Sequence, residues 1–190
     1  MDNPMLISFP EEFETERMII RAPRFGEGVL VNEAIRESVN ELKPWLPFAR
    51  NLPTVEESEV YVRRARLNFL ERTDLALHLF DKHTNQFIGS SGLHRFDWEI
   101  RNFEIGYWLR TSRTGQGLAQ EAVQGVADFA INRLEAKRLE IRCSPRNQAS
   151  RRVAERAGFT QEGILRNADL DEFGAPADIM IWAKAKGYEY

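Results

Sequence analysis

Between Phe103 and Ala122 a strand-like run gives way to Thr114-Gly-Gln-Gly117 and then to a helical pattern. Two glycines one residue apart at such a junction let the backbone turn tightly and approach a ligand closely. The helix that follows begins with N–H groups that have no intrahelical acceptor, and its dipole adds positive potential there. Together these features suit an anion, a diphosphate above all. The same residues also read as an ordinary strand-to-helix turn. Two familiar phosphate sites are excluded. The spacing lacks the G-x-G-x-x-G that a dinucleotide fold places after its first strand, and no G-K-[ST] follows as a P-loop requires. Downstream, Arg133 to Arg156 holds eight basic residues against three acids, in a chain of net charge -3, so the remainder carries -8. Such a run is either a solvated helix face or counter-charge for a ligand with several phosphates.

Periodicity then says what must position this turn. Arg17 to Arg21 reads as a first strand closed by Pro23. From Gly26 to about Leu42 the apolar residues Leu30, Ala34 and Ile35 follow a helical spacing, and Pro44-Trp-Leu-Pro47 ends that helix in a rigid aromatic loop. Thr54 with Glu57 is a capping-box signature for a second helix. The period next shortens. Leu75–Phe80, Phe87–Leu93 and Phe103–Leu109 are strands joined by tight polar turns, hence antiparallel. A helix carrying Ala122, Val126, Phe129, Ala130 and Leu134 follows the glycine turn. Strand Arg138–Cys143, a helix from Asn147 to Ala157 stopped by Gly158, and strands Phe159–Leu165 and Ile179–Ala183 complete the chain. The expected fold is therefore α+β: a mixed, mostly antiparallel sheet of about seven strands flanked by helices, with a right-handed crossover around the central helix.

Composition narrows the class. A chain of 190 residues, 43% hydrophobic and 29% charged, fits one domain over 1–190 that buries about 70% of its unfolded surface. Residues 1–14 are left open between a mobile arm and a packed strand. A pI near 5.7 argues against nucleic acid or an anionic membrane as the primary partner. The single cysteine, Cys143, excludes an internal disulfide and a multi-cysteine zinc site, and it reads as a small buried hydrophobe. His78, His83 and His94 form no ligand motif, so no metal is expected. The acidic, proline-broken start is not a signal peptide, and no apolar stretch is long enough to span a membrane. The expectation is a soluble, cytoplasmic monomer or homodimer.

Taken together the motifs resemble those of the GNAT acyl-CoA-dependent N-acetyltransferases, over roughly residues 15 to 183. Thr15-Glu-Arg-Met-Ile-Ile-Arg21 is similar to the family's first strand. Glu104-Ile-Gly-Tyr-Trp-Leu109 is similar to the strand lining the acetyl group. Thr114 to Ala119 is similar to its pyrophosphate signature, although Thr114 stands where Arg or Gln is usual. Asn147-Gln-Ala-Ser150 with Ala157-Gly-Phe159 resembles its later helix, and Glu162-Gly-Ile-Leu-Arg166 the strand after it. The versions of these motifs look most like the RimJ/RimL branch, which acetylates ribosomal-protein N-termini. The resemblance implies a GNAT fold, acetyl-CoA as acyl donor without a metal, and a primary amine acceptor. That acceptor is a protein N-terminus, or alternatively a small amine such as an aminoacyl compound, polyamine or antibiotic. A non-catalytic acyl-CoA sensor is the remaining reading.

By this resemblance Trp108, Leu109, Thr114, Gly115, Gln116, Gly117, Leu118, Ala119, Asn147, Ser150 and Arg152 are the candidate acetyl-CoA contacts. Locally, Asn147 reads as an N-cap and Arg152 as an exposed helical arginine. Direct transfer needs a proton acceptor for the incoming ammonium and a donor for the departing thiolate. Glu104 is the candidate base, on the same strand face as Gly106 by period-two alternation. Its other reading is a surface carboxylate paired with an arginine such as Arg101. Many family members carry a tyrosine on the later helix as the acid. The matching position here is Ala154; Ser150 is the candidate donor in its place, or simply a small polar residue in the first helical turn. Trp45, Phe48 and Trp98 are candidate acceptor-pocket aromatics or core residues, and His94 is a hairpin residue or a second candidate base.

Overall fold

The computed structural model describes residues 3–190, so the first two residues of the 1–14 segment lie outside it. The elements run β1 (Glu12–Glu14), β2 (Met18–Arg21), α1 (Gly28–Leu42), α2 (Val55–Glu71), β3 (Leu75–Asp81), β4 (Phe87–Asp97) and β5 (Asn102–Leu109). They continue with α3 (Leu118–Leu134), β6 (Arg138–Cys143), α4 (Gln148–Arg156), β7 (Thr160–Leu170) and β8 (Pro176–Ala185). All strands join one 8-stranded sheet in the order β1-β2-β3-β4-β5-β6-β8-β7. Every pairing is antiparallel except that of β5 with β6, which α3 connects. Among the described residues no helix is long and apolar enough to cross a membrane.

Side-chain alternation along the central strands builds a core on each face of the sheet. Leu77, Leu79, Phe103 and Ile105 pack with Ala122, Val123, Val126 and Ala130 of α3. Phe80, Phe87 and Trp108 face the other way, against Val31, Ala34 and Ile35 of α1. At α2 both halves of the capping box form, with Thr54 Oγ1 accepting from the Glu57 N–H and Glu57 accepting from the Thr54 N–H.

The sheet has one strand more than the expected seven. β1 is only three residues long, too short to show a period, and pairs with β2 from within the first fourteen residues. Two aromatics anchor that segment: Phe13 stacks on Phe129 at 4.7 Å, and Phe9 meets Phe129 edge-on at 5.6 Å. The last hairpin is also longer than the apolar runs predict, because β7 is exposed along nearly its whole length.

Candidate active site

Strands β5 and β6 are hydrogen-bonded only at Asn102–Arg138, Phe103–Leu139 and Glu104–Glu140. Beyond Glu104, β5 stays in register with β4 as far as Leu109, while β6 stays with β8. The two strands therefore part, and a cleft of about 600 Å³ opens between them. It passes through the sheet, so residues from both faces of β5 line it. Helix α3 and the glycine turn close one side, α4 another, and the α1–α2 loop with the tip of the β7–β8 hairpin the rest.

Gly115 (φ 73°) and Gly117 (φ 78°) both occupy the left-handed region, where a side chain is disfavoured. Gly117 is the N-cap of α3. Among the described residues, the backbone N–H groups of Gly115 to Gln120 have no protein acceptor. Orphan donors at a helix start that lines a cleft fit the diphosphate of a CoA ester. Leu118 is buried, and Ala119 is half-buried beside it on the same wall. Thr114 turns its hydroxyl to Thr111 O at 2.9 Å.

Glu104 lies where the strands separate, its side chain 17% exposed. Burial raises its pKa above the ordinary carboxylate value, against the pull of Arg95 and Arg142. Arg95 Nη1 stands 3.3 Å from Oε2, and Arg142 Nε 3.9 Å. Arg101, offered by the sequence as a partner, is turned instead to Leu134 O and the Trp98 ring. Across the cleft, Asn147 Oδ1 caps α4 by accepting the Ser150 N–H at 3.0 Å. Ser150 Oγ is 2.8 Å from the Tyr107 hydroxyl. Burial pushes the Tyr107 hydroxyl well above its ordinary pKa, so it stays protonated. The Cys143 thiol is likewise pushed up by burial.

Of the sequence candidates, the cleft brings together Glu104, Trp108, Leu109, Thr114, Gly115, Gly117, Leu118, Ala119, Asn147, Ser150, Arg152 and, on its α1–α2 loop side, Trp45. Four others lie off its wall. Gln116 folds its side chain back to Ser112 O at 3.2 Å. Phe48 packs against Trp108 at 5.8 Å. His94, the strand partner of Glu104, hydrogen-bonds Asp74 at 2.7 Å through Nδ1. Trp98 donates to Arg72 O at 3.0 Å and meets Phe103 edge-on, half-buried against the core. Sequence reasoning did not single out Tyr107, which sits in the quoted strand motif but on the face opposite Glu104. Its signal was the alternation itself, but that it would face the Asn147 helix was not legible there.

The split in the sheet thus leaves one cleft lined by a glycine turn at a helix start, a shielded carboxylate and a hydroxyl. The family model for the acetyltransferase (GNAT) domain matches residues 17–160, and the chain belongs to that family. It is an acetyl-CoA-dependent N-acetyltransferase. Among its relatives, the ribosomal-protein-serine acetyltransferase of Escherichia coli (strain K12) is 31% identical over 130 residues, 67% of this chain and 73% of that one. An uncharacterized N-acetyltransferase, p20, of Bacillus licheniformis is 36% identical over 105 residues, 55% of this chain and 58% of that one. RimL, the ribosomal L7/L12 α-N-protein acetyltransferase solved with coenzyme A, shares the fold at a TM-score of 0.85 and 23% identity, over 92% of this chain and 98% of its own.

Proposed function

We infer that this enzyme acetylates the α-amine at a protein or peptide N-terminus, with Glu104 as base and Ser150 as proton donor. The observation that carries the reading is a shielded carboxylate facing a hydroxyl-bearing helix across one cleft that also holds the anion-binding turn. The N-terminal acceptor is supported by the relative named as a ribosomal-protein-serine acetyltransferase. Acetyl-CoA, when bound, supplies the thioester that the amine attacks. The N–H groups of Gly115 to Gln120 and the free amide nitrogen of Asn147 would hold it, and Arg152 on α4 would add positive charge. Glu104 removes the ammonium proton, directly or through water. An α-amine titrates near 8, so only modest basicity is needed, and a raised carboxylate pKa supplies it. The Ser150 hydroxyl donates toward the departing sulfur, and the protonated Tyr107 hydroxyl beside it holds that geometry.

Peptides with a free N-terminal serine or alanine, the same peptides N-terminally blocked but carrying lysine, and small polyamines form the test set. Transfer to the free N-termini alone is expected. Transfer confined to small amines would refute the acceptor assignment. Glu104→Gln is expected to lower kcat at least ~10-fold with acetyl-CoA binding unchanged; unaltered turnover from pH 6 to 9 would remove Glu104 from the mechanism.

A further inference from the structure

The residues that bind nothing in the cleft, yet reach the back of its anion-binding turn, are Thr15, Arg17 and Glu121. Arg17 lies just before β2, about a hundred positions from the turn it touches. Its Nε donates to Glu121 Oε2 at 2.6 Å, and its Nη1 donates to the Gln116 carbonyl at 2.9 Å. The other carboxylate oxygen of Glu121 accepts from the Arg17 N–H at 2.8 Å and from Thr15 Oγ1 at 2.6 Å. Gly125, one turn further along α3, lets Thr15 seat this closely, because a Cβ there would lie 2.6 Å from Thr15 Cγ2.

In a trans peptide the carbonyl and the following N–H point in opposite directions. A Gln116 carbonyl drawn back onto Arg17 therefore turns the Gly117 N–H away from Arg17, and Gly117 itself lines the cleft. The pairing also answers an electrostatic problem. Glu121 stands in the first turn of α3, where a diphosphate is to bind, and an uncompensated carboxylate there would repel it. Burial works to raise the Glu121 pKa, but the bonds from Thr15 and Arg17 outweigh it and hold the group ionised. Arg17 neutralises that charge while using its remaining arm on the loop.

We propose that Arg17 is a positioning residue for cofactor binding: it aims the Gln116–Gly117 peptide so that the Gly117 N–H donates to the diphosphate of acetyl-CoA. This rests on the glycine turn holding that diphosphate. The binding titration that decides it contains no amine, so the acceptor reading above can fail without touching it.

The test is titration of wild type, Arg17→Ala and Arg17→Lys with acetyl-CoA and with S-acetylpantetheine, which lacks the diphosphate, alongside steady-state kinetics. One lost hydrogen bond to a charged group is expected to weaken acetyl-CoA roughly tenfold in Arg17→Ala. Affinity for S-acetylpantetheine is expected to stay within about twofold, and KM for acetyl-CoA to rise with kcat nearly unchanged. Arg17→Lys, whose ammonium lacks the planar fork that serves Glu121 and Gln116 together, is expected to lie between. It also supplies the answer if the alanine variant is poorly folded. Equal weakening of both ligands would mean general damage to the cleft and overturn the proposal. Unchanged acetyl-CoA affinity would overturn it as well.

Discussion

Glu27 is the N-cap of α1 and the centre of a buried polar knot that joins three elements. Arg21, at the end of β2, donates to its Oε1, while His78 Nδ1 of β3 lies 2.8 Å from Oε2 and the Arg24 N–H donates to the same oxygen at 2.9 Å. His78 is fully buried, and Arg21 and Glu27 are nearly so. Burial alone would raise the Glu27 pKa. The hydrogen bonds from His78 and Arg21, with the Arg24 N–H, outweigh it and lower the value from 4.5 to about 2. A carboxylate depressed by that much favours the folded state at neutral pH by about 3 kcal/mol. The sign follows from linkage. The contribution is complete above the ordinary carboxylate range and disappears as the pH falls from 4.5 toward 2. Glu27→Gln removes the charge and leaves the Arg21 guanidinium buried without its counter-ion, a change of the costly kind. For a chain of this size the expected fall in Tm at pH 7 is about 6–12 °C. Thermal unfolding of wild type and variant between pH 3 and pH 8 is the assay, and the gap should narrow steadily on the acid side. A variant within about 2 °C of wild type at pH 7, or a gap as wide at pH 3 as at pH 7, would refute the reasoning.

Further predictions concern the cleft. Because the pKa of Glu104 is raised and its carboxylate is the proposed base, kcat/KM should climb with pH through a limb above the ordinary glutamate range, and that limb should vanish in Glu104→Gln. Ser150→Ala is expected to lower kcat roughly tenfold or more, and Tyr107→Phe by less, since Tyr107 acts through Ser150; equal effects in rapid-quench turnover would contradict that order. Gly117→Ala forces a side chain into the left-handed region at a cost of about 1–2 kcal/mol, so ligand-free Tm and acetyl-CoA affinity should both fall.

What the sequence made legible follows the range of the interactions involved. The capping box at Thr54 and Glu57, the strand–turn–helix around Gly115 and Gly117, and the N-cap at Asn147 are local, and each formed where its residues predicted. The ends of β7 and β8 were missed because those residues face solvent, so no apolar alternation marks them. The cleft is the clearest case of a non-local property. It exists because β5 and β6 pair at three positions and then follow different neighbours, a choice no window of residues along β5 encodes. For the same reason Tyr107 and Glu104, on opposite faces of one strand, meet a single cavity, while Trp98, close in sequence to Glu104, ends half-buried against the core.

The two halves of this cleft are built differently, and the difference bears on which half can change substrate. The half proposed to hold the cofactor is made of regular elements fixed from behind. Arg17 and Glu121 brace the glycine turn, Tyr107 meets Ser150 on α4, and Gly117 and Asn147 cap the two helices. The half proposed to take the acceptor is made of the α1–α2 loop and the β7–β8 hairpin tip, joined by few polar contacts. Arg50 reaches Leu170 O at 3.3 Å, while the hairpin tip is tied to the turn before α4 by Arg146 with Glu172 at 2.8 Å, all of them exposed or partly exposed. Surface contacts of this kind add little stability, so these loops can alter in sequence without disturbing the sheet. With donor and acceptor placed as proposed, a fixed donor site beside an adjustable wall would let one acyl-transfer mechanism serve different amines. Acceptor choice is accordingly expected to follow substitutions at Trp45 and Leu170 rather than any change at Glu104.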